Sequence, residues 1–128
     1  MCNDTETLGE MSKWDNCGMT ITYKDAAGIQ SMRVAGKLAS EVLDYLTPHV
    51  VAGITTNQLD KLAYDYITQV QQATPAPLNY NPSGDNPYPK SICTSINHQV
   101  CHGIPNDKAL KKADIVNIDI TVIKDGWH

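Results

Sequence analysis

The chain has 128 residues, 41% of them hydrophobic, with 10 Lys plus Arg against 14 Asp plus Glu. That length suits one domain or part of a larger one, and the apolar fraction excludes a collagen-like or wholly disordered polymer. The formal charge of −4 argues against a general nucleic-acid binder, which carries a basic face. Residues 1–18 hold Asp4, Glu6, Glu10 and Asp15 against Lys13 alone, so the rest of the chain is close to neutral.

No apolar run reaches the roughly 18 residues of a membrane-spanning helix, and no basic stretch followed by an apolar one suggests a secretory signal. The cysteines are Cys2, Cys17, Cys93 and Cys101. None forms a Cys-x-x-Cys pair, which weakens a zinc-ribbon reading. Without a signal, reduced thiols in the cytosol are expected.

Residues 1–18 are polar and show no period, which reads as a disordered or non-native leader. A domain is expected to begin near Met19. A first helix is predicted from about Asp25 to Leu46. Ile29, Met32, Gly36, Ala39, Leu43 and Leu46 recur at steps of three and four, forming one stripe. Asp25 can cap its start, and Pro48 stops it. A second helix begins near Thr55, because Thr55 and Gln58 have capping-box spacing. Its apolar face is Leu59, Leu62, Ala63, Tyr66, Ile67 and Val70. Both helices have one side to bury, best against a sheet.

Five of the seven prolines fall between Pro75 and Pro89, so regular structure cannot persist there. A loop of this length is either a plain surface insertion or functional. Ser91–Ile96 reads as a short strand. Ile115–Ile123 reads as the clearest strand in the chain, with Val116, Ile118, Ile120 and Val122 on one face and Asn117, Asp119 and Thr121 on the other. Asp125-Gly126 then reads as a hairpin turn.

Asp119 is the most informative residue. A carboxylate among Ile118, Ile120 and Val122 must be paired, metal-bound or solvated through a cavity. A salt-bridged or edge-exposed aspartate satisfies the pattern as well. Hard oxygen donors suit divalent cations. His98 and His102 stand four apart, as in a zinc His-Glu-x-x-His helix, but the glutamate is missing and Gly103-Ile104-Pro105 forbids the helix. His102 before that turn is either a positioned acid–base group or a surface histidine. Cys101 and His102 are adjacent in extended chain, so they face apart and make a poor nucleophile–base pair. Lys108, Lys111 and Lys112 read as a solvated face.

Several motifs carry a resemblance. They are Tyr88-Pro-Lys-Ser-Ile-Cys-Thr-Ser-Ile-Asn97, Val100-Cys-His-Gly-Ile-Pro105, and Asp114-Ile-Val-Asn-Ile-Asp-Ile-Thr-Val-Ile-Lys-Asp-Gly126. With Tyr23-Lys-Asp-Ala, Met32-Arg-Val-Ala-Gly36 and Leu46-Thr-Pro48, they resemble bacterial type I methionine aminopeptidases over nearly all of residues 19–128. The resemblance implies an α+β chain: the N-terminal half of a pita-bread fold, with an antiparallel sheet covered by two amphipathic helices. It implies two divalent cations as cofactor (cobalt, manganese, iron, zinc or nickel). Asp119 would be a metal ligand and His102 the catalytic, substrate-contacting histidine. Tyr88, Cys93 and, in a less clear alignment, Tyr80 would line the methionine pocket. Asn97 would offer its main chain to a monovalent cation.

The implied activity is removal of initiator methionine from nascent proteins by metal-activated water. The implied partners are N-terminal Met peptides, met at the ribosome in the cytoplasm by a monomer with no membrane or specific nucleic-acid site. The family's other ligands (a second aspartate, a histidine and two glutamates) would fall beyond His128. Residues 19–128 therefore read as an incomplete half of the catalytic domain, inactive and poorly folded alone. The alternative is a non-catalytic pita-bread binding module. Retention of both His102 and Asp119 argues against it.

Overall fold

Helix α1 runs from Ala26 to Leu46, and its start is set locally: the Asp25 carboxylate accepts a hydrogen bond from the Gly28 N–H at 2.7 Å. Such a cap satisfies a backbone donor that has no partner inside the helix. A single 3₁₀ turn, Thr47–His49, carries the chain through Pro48. Helix α2, Thr56–Asp65, opens with the capping box that Thr55 and Gln58 predict, both reciprocal bonds being present. It continues as a π-helical turn over Tyr66–Val70. These coordinates are a computed structural model describing residues 21–128; the leader expected over 1–18 lies outside the described residues.

The buried side of α1 differs from the expected stripe. Gly28, Ala35, Val42 and Leu46 face inward, while Ile29, Met32 and Leu43 are exposed. At its start the helix buries a glycine because it lies close against the hairpin after the last strand: a Cβ on Gly28 would stand 2.9 Å from the Trp127 ring. On the second helical segment Leu59, Ala63 and Ile67 are fully buried as expected, but Val70 is exposed.

Four short strands follow: β1 Thr74–Pro75, β2 Cys93–Ile96, β3 Val116–Asp119 and β4 Val122–Ile123. The strand expected over Ile115–Ile123 is broken. Its first part pairs antiparallel with β2, and its second pairs antiparallel with β1, so one segment feeds two ladders. The β1 ladder is short for a physical reason: Pro75 and Pro77 have no N–H to donate. Asp125-Gly126 makes the expected two-residue turn, both residues at positive φ, closed by reciprocal Lys124–Trp127 backbone bonds of 2.9 Å.

The core joins Val42 and Leu46 of α1, Leu59 and Ala63 of α2, Ile67, Ile92, Leu110 and Val122. Burying each larger side chain contributes about 1.5–3 kcal/mol relative to exposure. This core fastens both helices to one side of the strands and leaves the face bearing Asp119 open.

Candidate functional site

The open face holds a cleft of about 430 Å³. Its floor comes from the β2–β3 ladder and the link from β3 to β4. Cys93 of β2 stands directly opposite Asp119 of β3, and Thr121 follows on the same side. Its walls come from loops: Ala76, Pro77 and Tyr80 after β1, Tyr88 before β2, and His102 with Ile104 from the turn after β2.

The proline-rich segment is ordered rather than a plain insertion. The Asn79 N–H donates to the Tyr88 carbonyl and the Tyr88 N–H donates to the Tyr80 carbonyl, both at 2.9 Å. These bonds close a neck that holds both tyrosines at the cleft. The Tyr88 hydroxyl reaches the Ile92 carbonyl at 3.1 Å and the Gly103 carbonyl at 3.3 Å. Burial, and then the Cys93 thiol and the negative charges of Asp60 and Asp119, push Tyr88 well above the usual tyrosine range. It therefore stays a neutral hydrogen-bond donor.

His102 is carried by a turn folded onto the free edge of β2. The Thr94 N–H donates to the Gly103 carbonyl at 2.7 Å, and the Gly103 N–H donates to the Ser95 hydroxyl at 3.1 Å. A side chain at Gly103 would overlap the Thr94 carbonyl oxygen, so only glycine permits this approach. His102 itself is exposed and left-handed, with φ of 55°.

Asp119 is exposed to the cleft, and no hydrogen bond or ion pair engages its carboxylate among the described residues. Its carboxylate thus opens onto the cavity, where water or a cation can reach it. No three His, Cys, Asp or Glu side chains come together to hold a metal ion among the described residues. These residues thus supply one hard oxygen donor and do not complete a metal centre.

Five sequence-derived candidates, Tyr80, Tyr88, Cys93, His102 and Asp119, share this one cleft. Asn97 does not line it. It sits in the turn after β2, where its amide donates to Asp114 at 2.9 Å and its side-chain oxygen accepts from the Ile115 N–H at 3.0 Å. That contact, and then the Lys111 N–H, lower the Asp114 carboxyl below the usual aspartate range. Residue-by-residue reading missed Ile104, Ala76 and Pro77. Ile104 had a usable signal, since it lies two positions beyond His102 on the same turn.

The chain matches the family model "Metallopeptidase family M24" over residues 30–128. It is 57% identical over 110 residues to methionine aminopeptidase of Rickettsia prowazekii, a match covering 86% of this chain and 40% of that protein. It is 53% identical over 111 residues to methionine aminopeptidase of Escherichia coli K12, with the same shares. The crystal structure of the Rickettsia prowazekii enzyme superposes with a TM-score of 0.78 at 56% identity, covering 84% of this chain and 41% of that one. That of methionine aminopeptidase from Thermotoga maritima superposes at 0.72 with 29% identity and the same coverage. The α+β arrangement is thus that of part of a pita-bread fold. The chain belongs to metallopeptidase family M24. It spans about 40% of the length of the curated relatives it matches.

Proposed function

We propose that this chain supplies the methionine pocket, a substrate-facing histidine and one metal-binding carboxylate to a methionyl aminopeptidase that removes initiator methionine from nascent proteins. The observation that carries the reading is the convergence of Tyr80, Tyr88, Cys93, His102 and Asp119 on one cleft. Two divalent cations, one bound in part by Asp119, would supply an acidified water and polarise the scissile carbonyl. The remaining work belongs to the chain's own side chains. Tyr80, Tyr88 and the Cys93 sulfur form a wall suited to a thioether side chain. His102, on the same cleft, would donate a hydrogen bond to the oxygen that gains charge as the peptide bond is attacked.

On this reading the substrates are N-terminal Met peptides of nascent chains, met in the cytoplasm near the ribosome by a monomer. Residues 19–128 form the first half of the catalytic domain, with 1–18 as a leader outside it. The Asn97 main chain is a site for a monovalent cation. No described helix is long and apolar enough to cross a membrane.

The test is a chimera in which residues 19–128 replace the matching segment of the Rickettsia prowazekii protein. Loaded with cobalt or manganese, it should release methionine from Met-Gly-Met, stop on chelation and recover on metal return. A folded, metal-loaded chimera that binds the peptide without cutting it would instead favour a non-catalytic binding module.

A further inference from the structure

Asp60 lies on α2, outside the cleft, and is only 9% exposed. It is the one carboxylate among the buried polar side chains of the described residues. Its Oδ1 accepts from the Ser91 N–H at 2.7 Å and the Ile92 N–H at 3.3 Å, and its Oδ2 stands 3.7 Å from the Lys90 ammonium. Burying a carboxylate is costly unless it is hydrogen-bonded and paired, and these three neighbours meet that need. They are consecutive, and they lie between Tyr88 and Cys93. Ser91 and Ile92 precede the first paired residue of β2, so no strand partner receives their N–H groups.

The grip extends into the cleft. Asp60 holds Ile92 by its N–H, and the Tyr88 hydroxyl holds the same residue by its carbonyl. That hydroxyl also reaches Gly103, next to His102. A single carboxylate on a helix thereby ties down the segment that presents both Tyr88 and Cys93.

We propose that Asp60 is a positioning residue. By fixing Lys90–Ile92 it sets the spacing of Tyr88 and Cys93, and so the fit of the wall to the substrate's first side chain. This rests on the reading of that cleft as the methionine pocket. A merely structural staple would change how much protein folds. A positioning residue changes which side chain the folded protein prefers.

The test uses the same chimera. Asp60→Ala should lower the ratio of kcat/KM for Met-Gly-Met to that for Leu-Gly-Met by about tenfold, the scale on which an apolar pocket discriminates side chains. The folded fraction cancels in that ratio. Asp60→Asn retains an oxygen able to accept both N–H groups, so its ratio should stay near that of the unmodified chimera. A ratio unchanged in Asp60→Ala, with only a lower Tm, would overturn the proposal. An unmodified chimera that releases no methionine would count against the aminopeptidase reading instead. Asp60 is then judged by alkylation of Cys93, with the other cysteines replaced by serine. Asp60→Ala should speed labelling about tenfold over a Leu62→Ala control, which loosens the same helix but removes no hydrogen bond or ion pair to Lys90–Ile92. Equal rates would overturn it.

Discussion

Cys93 and Asp119 face each other across the β2–β3 ladder, one a soft sulfur and the other a hard carboxylate. Side chains opposite one another in an antiparallel pair are close neighbours. The pairing therefore sets the sulfur proposed to line the methionine pocket beside the carboxylate proposed to bind metal, so that on this reading side-chain recognition and chemistry share one end of the ladder.

Asp119→Asn in the chimera should lower metal stoichiometry, because a neutral amide is a poor ligand for a hard cation. Elemental analysis of the purified variant decides it, and unchanged stoichiometry would sink the ligand role. The 128-residue chain alone should show no stoichiometric binding of cobalt or manganese by calorimetry, since Asp119 is the lone carboxylate on the cleft among the described residues.

His102→Ala should reduce turnover by on the order of a hundredfold or more, as when one donor to a developing oxyanion is removed. Metal content should stay nearly intact, because the side chain is assigned to the substrate. A variant stripped of metal, or one with normal turnover, would contradict that division.

Tyr88→Phe removes the donor shared between the Ile92 and Gly103 carbonyls. Its cost should be about 1–3 kcal/mol, from the usual worth of a hydrogen bond and the acceptors left unmet. Because folding raises the Tyr88 value, its contribution is fully present below the ordinary tyrosine value near 10 and is lost as pH climbs towards the raised one. Denaturant melts between neutral and strongly alkaline pH should show a fall in stability that Tyr88→Phe flattens.

Asn97→Ala should bring the Asp114 carboxyl back up towards its ordinary value, because the Asn97 amide is the main cause of its depression. The sign follows from linkage. The contribution is present above the ordinary aspartate value near 3.9 and is lost as pH falls through the depressed one. Asp114 is half-buried at the surface, and carboxyl chemical shifts followed through an acid titration are the measurement of choice. An unmoved titration midpoint would show that the contact does not hold in solution.

The features legible in the residues are those whose partners lie a few positions apart. Asp25 to Gly28, Thr55 to Gln58, the stop at Pro48 and the Asp125-Gly126 turn all rest on local hydrogen bonds or fixed backbone angles. Residue chemistry alone singled out Asp119 and His102, whereas Tyr80, Tyr88 and Cys93 entered through the resemblance. The tertiary structure decided the rest. Periodicity shows that α1 has apolar residues at helical spacing, but the face it buries depends on the surface it meets. There the Trp127 ring selects small Gly28 over Ile29. Alternation marks Ile115–Ile123 as extended, yet it cannot say that the segment changes partner after Asp119, because pairing depends on which N–H groups β1 and β2 can offer. Asp60 looks like an ordinary helix-surface acid. Only folding brings Ser91 and Ile92, more than thirty residues away, onto its carboxylate and turns it into the tie behind the cleft wall.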